Sequence, residues 1–347
     1  MSPQKKLSDI DLSVLDLVTI TADSTPVVAM KNSLDLAQHT DNWGYKRFWL
    51  AEHHNMKSIA STATAVLIGY IAGGTSKIRV GSGGVMLPNH APLIVAEQFG
   101  TLESLYPGRI DLGLGRAPGT DQLTAMALRR NLHGSVDEFP NNVAELQSYF
   151  APADATTRVR AVPGEGLQVP IWLLGSSTFS AQLAGMMGLP FAFASHFAPT
   201  LLEAALKIYR DSFRPSASLA APKVIACVNV VAADTDEEAH KLATSLYLFA
   251  LGVVRGASMP LQAPVEDLDA YWDGSERYAV QQMFRYAFVG GPKTIQDSLQ
   301  AFLDQTQVDE IMVVSHIYEH TARLRSYEIL SRLKQEQEVQ ASLANLA

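Results

Sequence analysis

The chain has 347 residues, 47% of them hydrophobic and 18% charged, with a formal net charge of −8. This is a globular composition, and its acidic balance excludes general nucleic-acid binding, which needs a basic surface. The one cysteine, Cys227, leaves neither an intramolecular disulfide nor a cysteine-rich zinc site, and its apolar surroundings mark an inert core thiol. No apolar run approaches the roughly 20 residues of a membrane span. The opening Met-Ser-Pro-Gln-Lys-Lys-Leu-Ser-Asp has no signal-peptide core, so a soluble cytoplasmic protein is expected.

In chain order, a first strand is expected over Leu12–Thr19. Asp23-Ser24-Thr25-Pro26 then supplies a capping hydroxyl and a proline for a first helical turn. Val27, Met30, Leu34 and Ala37 recur at helical spacing until Trp43-Gly44 stops the helix. The second strand opens the stretch Arg47-Phe48-Trp49-Leu50-Ala51-Glu52-His53-His54-Asn55, where an apolar run ends abruptly on a carboxylate and two imidazoles. A helix over about Thr62–Ala72 leads through Gly73-Gly74 to a third strand, Ile78–Ser82. Gly83-Gly84 and Pro88-Asn89-His90-Ala91-Pro92 follow, then a helix to Tyr106, a Pro107-Gly108 turn and a fourth strand, Arg109–Gly113.

The alternation then stretches. Leu114–Gln168 holds two helices, Asp121–Arg130 and Pro140–Phe150, and a segment punctuated by Pro and Gly. A fifth strand, Ile171–Leu174, precedes a helix over Ser177–Met187; the sixth, Phe191–Ala194, precedes a helix over Thr200–Phe213. The seventh, Val224–Val231, leads into a helix from Asp236 to about Leu251 and a second irregular piece, Gly252–Arg277. Gly290-Gly291-Pro292 caps a helix over Lys293–Gln305, Ile311–Val314 is the eighth strand, and a polar helix closes the chain.

Short apolar strands alternating with helices call for a parallel sheet with right-handed crossovers. Eight of them indicate an α/β fold, a single (β/α)8 TIM barrel over residues 1–347, with insertions after strand four (about 114–168) and strand seven (about 252–280). An open doubly wound sheet is the rival, but it carries a dinucleotide fingerprint. The nearest match, Gly113-Leu114-Gly115-Arg116-Ala117-Pro118-Gly119, has the wrong third spacing.

In a barrel, catalytic groups gather just past the carboxyl ends of the strands. Five of the nine histidines (53, 54, 90, 196 and 316) fall within a few residues of such an exit. Adjacent residues on a strand face opposite ways, so one of His53 and His54 should face in. Gly175-Ser176-Ser177-Thr178-Phe179-Ser180 opens a helix straight after a strand, and its free N–H groups and hydroxyls make an anion site. Arg116, after the neighbouring strand, can add a charged fork for the same phosphate. Gly83-Gly84 removes side chains from a strand exit, so that a flat ring can approach closely. Phe48, Phe193, Phe197, Tyr271 and Trp272 suggest an apolar pocket, although core packing explains at least some of them better. Metal catalysis is not expected, since no His-x-His pair is present.

The chain resembles the bacterial-luciferase-like family of flavin-dependent monooxygenases over nearly its whole length. The resemblance is carried by Trp49-Leu50-Ala51-Glu52-His53-His54, Val80-Gly81-Ser82-Gly83-Gly84-Val85-Met86-Leu87-Pro88, Pro107-Gly108-Arg109-Ile110-Asp111-Leu112-Gly113 and Gly188-Leu189-Pro190. It implies a barrel that binds reduced FMN, with O2 adding to the flavin to give a peroxyflavin that oxidises a small organic substrate. It further implies that His53 is the acid/base near the flavin, with His54 in support. Gly83-Gly84 matches a non-proline cis peptide against the flavin ring; Arg116, Gly175, Ser176, Ser177 and Ser180 match the phosphate site; and Gly252–Arg277 matches a mobile loop over the active site. A homodimer packed through early helices and a separate flavin reductase are implied as partners. True luciferases carry a cysteine at Gly115 and an acidic residue near Ser176, which points away from light emission. Two other functions fit the same fold: F420-dependent hydride transfer, and flavin binding without turnover.

Overall fold

The computed structural model describes residues 5–117, 121–128, 138–257 and 259–344. Met1–Gln4, Pro118, Gly119, Arg129 and Arg130 therefore lie outside it, and with them parts of the segments read above as N-terminal start, glycine run and helix end. Ten strands run β1 Asp11–Asp16, β2 Arg47–Leu50, β3 Arg79–Ser82, β4 Val85–Met86, β5 Ile110–Gly115, β6 Ile171–Gly175, β7 Phe191–Phe193, β8 Val224–Ala232, β9 Ala287–Gly290 and β10 Glu310–Val314. Eight of them close a parallel barrel in the order β1-β2-β3-β5-β6-β7-β8-β10, with β10 paired to both β8 and β1. The α/β TIM barrel is thus the fold, and two short strands extend it. β4 continues β3 along β5, and β9 lies along the C-terminal half of β8.

The helices are α1 Pro26–Asn42, α2 Thr64–Gly73, α3 Pro92–Leu105, α4 Gln122–Leu128, α5 Phe139–Phe150 and α6 Thr178–Met187. They continue with α7 Leu202–Ser212, α8 Asp236–Val254, α9 Gly274–Met283, α10 Pro292–Thr306 and α11 His320–Ala344. None is long and apolar enough, among the described residues, to cross a membrane.

Alternation along the strands sorts their side chains. Val14, Phe48, Leu50, Val80, Leu112, Leu173, Val228 and Val313 pack outward into the main core. Leu15, Leu17, Trp49, Ala51, Trp172, Ile225, Cys227, Met312 and Val314 form a second cluster inside the barrel. The side-chain period of two makes these sets complementary. Below the inner cluster, Arg47 joins Asp111 at 2.6 Å and Glu310 at 2.7 Å, and Trp49 Nε1 donates to Asp111 at 3.2 Å. These buried charges are paired and hydrogen-bonded, so the barrel floor is closed and polar. The mouth at the other end is where inward positions become free for chemistry.

Several boundaries depart from the expected ones for identifiable reasons. β1 ends at Asp16, because Val18 takes a left-handed φ of 51°. α1 starts as expected, with Thr25 Oγ1 accepting from the Val28 N–H, but it buries Ala29, Ser33, Leu36, Ala37 and Thr40 and leaves Val27 61% exposed. Thr40 can be buried because its hydroxyl returns hydrogen bonds to the Leu36 and Ala37 carbonyls. β5 runs on to Gly115, so the first insertion begins after 115 and not at 114. The second insertion is helical at its two ends: α8 continues to Val254, and Asp273 caps α9 by accepting from the Ser275 and Glu276 N–H groups.

Candidate active site

A cavity of about 360 Å³ opens at the C-terminal end of the barrel. His53, Gly83, Gly84, Arg116, Gly175, Ser176, Ser177 and Ser180 all line it. Strand phase explains the first of these. Positions 49 and 51 face the barrel interior, and two residues further on His53 reaches the cavity wall. His54 lies out of phase and instead donates from Nε2 to Glu52 Oε1 at 2.9 Å.

Glu52 itself is buried and points away from the cavity. Its Oε1 also accepts from His90 Nε2 at 2.8 Å, and its Oε2 from the Met86 N–H at 3.1 Å. Burial alone would raise its pKa; the hydrogen bonds from His90 and His54, the His90 charge and the backbone N–H outweigh it and hold the carboxyl below its ordinary value. The carboxylate therefore ties the exit of β2 to the connection between β4 and α3.

Between those two elements sits the Gly83–Gly84 peptide, which is cis. A Cβ on Gly84 would fall 2.7 Å from the Gly113 carbonyl oxygen, and one on Gly83 would fall 2.6 Å from Leu15 Cδ1. Only glycine fits over the packed barrel interior here. The result is a stretch of bare backbone exposed to the cavity.

Across the mouth, α6 starts directly after β6. Ser177 is its N-cap residue in extended geometry, yet its side chain makes no capping hydrogen bond. Gly175 lets the strand and the first helical turn close together, since a Cβ there would meet Ser180 Cβ at 2.6 Å. Arg116 Cζ lies 4.2 Å from the Phe179 ring centroid, which brings its guanidinium to the positive end of the same helix. Two positive ends thus converge, and no carboxylate lines the cavity among the described residues. An anion between them would be stabilised by both.

The far wall carries residues outside the expected site. His196 and His316 line it with Asn229, and Phe249, Val253, Met283 and Phe284 cover it from α8 and the end of α9. Burial, then the neighbouring His316 and His53, lower His196 to about 3. Burial, then Arg323 against a partly offsetting Asp16, lower His316 to about 4. Both imidazoles are neutral near pH 7. His196 and His316 were legible as strand-exit histidines, four positions beyond the inward Ala192 of β7 and two beyond the inward Val314 of β10. Phe249 had no local signal, because it reaches the cavity only through the path of α8.

Of the aromatics suggested for a pocket, Phe197 alone lines the cavity. Phe48 and Phe193 belong to the outer core, and Trp272 packs on Tyr247 with ring centroids 6.2 Å apart, in a separate surface groove. Tyr271 is exposed. Core packing thus accounts for Phe48 and Phe193, whose outward strand phase hydrophobicity alone does not reveal. Cys227 lies inside the barrel, and burial raises its thiol pKa far above the ordinary value, as befits an inert core thiol.

The sequence model of the family described as luciferase-like monooxygenase matches residues 10–310. The chain is 52% identical over 327 residues to the luciferase-like monooxygenase of Escherichia coli K12, covering 94% of this chain and 98% of that one. It is 33% identical over 333 residues to N-acetyl-S-alkylcysteine monooxygenase of Bacillus subtilis, covering 93% and 97%. The crystal structure of apo-MsnO8 matches with a TM-score of 0.87 at 36% identity, over 94% of this chain and 98% of that one. At the level of fold alone, the FMN complex of the oxygenating constituent of 3,6-diketocamphane monooxygenase from Pseudomonas putida gives 0.67 at 17% identity, over 93% and 97%. An F420-dependent secondary alcohol dehydrogenase holding an F420-acetone adduct gives 0.69 at 14%, over 94% and 99%. The chain belongs to the luciferase-like monooxygenase family.

Proposed function

We propose that the protein is a flavin-dependent monooxygenase that uses reduced FMN and O2 to oxidise a small organic substrate. The observation that carries this reading is the meeting, in one cavity, of an anion cradle, a bare glycine platform and an in-phase histidine. The residues present fit the cofactor. Ser177 has a hydroxyl not used for capping, and Arg116 stands at the positive end of α6, so both can hold a phosphate. Gly83 and Gly84 offer backbone to a flat ring where a Cβ would have no room.

Reduced FMN, when bound, supplies the two electrons needed to activate O2 for insertion of one oxygen atom. The chain's own groups bind and orient. An imidazole nitrogen of His53 holds or delivers a proton within the cavity, a role suited to a ring that can both accept and donate one. Phe249, Val253, Met283 and Phe284 form an apolar cover that keeps water from the reacting groups. A separate reductase that delivers the reduced flavin, and a homodimer packed through early helices, belong to the same proposal.

Anaerobic titration of the purified protein with reduced FMN and with F420 tests it. Saturable binding of reduced FMN is expected, and tight F420 binding without FMN binding would replace it by F420-dependent hydride transfer. On admission of O2, peroxide formed at one rate with and without every substrate tried would leave a flavin-binding protein without turnover.

A further inference from the structure

The cavity has two chemically different sides. The exits of β3, β5 and β6 carry the glycine platform, Arg116 and the serine cradle. The side walled by β7, β8, β10 and α8 carries none of the groups that fit the cofactor.

On that side His316 is only 6% exposed, yet neither ring nitrogen has a hydrogen-bond partner among the described residues. Its ring stacks on Phe249 at a centroid distance of 4.7 Å and 30°, which fixes its plane. His196 lines the same cavity with a buried, unpartnered Nδ1, and its backbone carbonyl accepts from Asn229 Nδ2 at 2.5 Å. Buried polar atoms in folded proteins are almost always satisfied, so orphaned ones on a cavity wall point to a polar group on the molecule that fills it.

Charge narrows what that group is. Behind His316, Arg323 and Asp16 pair at 2.7 Å and offset one another. Arg116 is the one arginine or lysine lining the cavity among the described residues, and it sits across the mouth at the α6 terminus. A carboxylate or an ammonium held against these imidazoles would be buried without a counter-charge, which is strongly unfavourable. A neutral imidazole offers one N–H donor and one acceptor nitrogen, which suits an uncharged oxygen. The low values for His196 and His316 agree with neutral rings.

We propose that His316 and His196 form a subsite for an uncharged carbonyl or hydroxyl oxygen on an otherwise apolar substrate. It deepens the monooxygenase reading, and rests on it for placing the flavin on the opposite side. His316 and His196 are thereby specificity residues; the apolar remainder of the ligand lies against Leu15, Leu17, Ile59 and Val253.

Isothermal titration calorimetry with 2-octanone, octanoate and octylamine, with and without FMN, tests this on the wild type and on His316→Phe, His316→Gln and His196→Phe. The wild type should bind 2-octanone about ten-fold more tightly than either charged probe, the equivalent of one net hydrogen bond. His316→Phe and His196→Phe should each lose about ten-fold in ketone affinity, while His316→Gln, which keeps a donor and an acceptor, should stay within about three-fold. Circular dichroism establishes that each variant is folded; if His316→Phe is not, His196→Phe decides. The proposal is overturned by equal or tighter binding of a charged probe, by no saturable ketone binding, or by unchanged ketone affinity in the folded phenylalanine variants. Failure of FMN to bind while this pattern holds would remove the cofactor reading and leave the subsite standing.

Discussion

Glu52 and His90 meet at 2.8 Å at the barrel mouth, joining the exit of β2 to the connection that leads into α3. The same carboxylate oxygen holds His54, and its second oxygen holds the backbone of β4. A buried carboxylate accepting three hydrogen bonds fixes the frame in which the Gly83–Gly84 platform sits. His53, between Glu52 and His54 in sequence, is left on the cavity side.

Glu52→Gln should therefore loosen this frame without changing its volume. The amide keeps one acceptor oxygen but turns its NH2 toward groups that are themselves donors. Loss of charge-assisted hydrogen bonds in a buried setting should cost about 1–3 kcal/mol. Urea denaturation of variant and wild type measures it, and an unchanged midpoint would show that the carboxylate does not hold the mouth together.

Ser177→Ala combined with Arg116→Ala should weaken FMN binding about a hundred-fold, as expected for losing charge-assisted contacts to one phosphate. Riboflavin, which has the ring but no phosphate, should bind wild type and variant alike. Fluorescence titration with both ligands separates the cases. Equal losses for FMN and riboflavin would mean that the cradle supports the ring and not a phosphate.

The fold was largely legible because each local signal agreed with the global one. Thr25-Pro26 begins α1, Gly44 follows its end with a φ of 81°, and the eight barrel strands lie within a few residues of their apolar runs. β9 escaped notice because Ala287–Gly290 is short and only partly buried, and its pairing depends on the length of β8. Nine residues of β8 outrun the three of β7, which pair only with Val224–Ala226, and Asn229–Ala232 further along that side is what β9 covers. A distant partner of that kind leaves no periodicity to read. In the cavity, the strand exits pointed to His53, Gly83, Gly84, Arg116 and the serine segment as neighbours. Glu52 as the tie between β2 and β4, and Phe249 stacked on His316, depend on tertiary approach alone.

His53→Ala should leave the FMN dissociation constant within about two-fold while lowering product formed per O2 consumed. General acid–base groups contribute about 10²–10⁴-fold in rate, so the loss in turnover should fall in that range. His54→Ala, by contrast, should act through Glu52 and show first as lost stability. Oxygen uptake and product yield measured side by side test both, and unchanged turnover in His53→Ala would take it off the catalytic list.

His196 and His316 give stability a pH dependence of definite sign. Their folded values, about 3 and about 4, lie below the ordinary imidazole value of 6.5, so the unfolded chain binds more protons between those limits. The stabilisation is fully present above pH 6.5 and is lost as the pH falls toward 4. For His316, burial and Arg323 act against protonation while Asp16 favours it; for His196, burial acts together with His316 and His53. Each group can contribute on the order of a few kcal/mol over that range. The melting temperature should therefore fall on acidification from pH 7 to 4.5, and His316→Gln, which has no proton to gain there, should flatten the fall. A slope identical to the wild type would mean that His316 takes up its proton over the same range in the folded and unfolded chain, and that the fold does not hold its ring neutral.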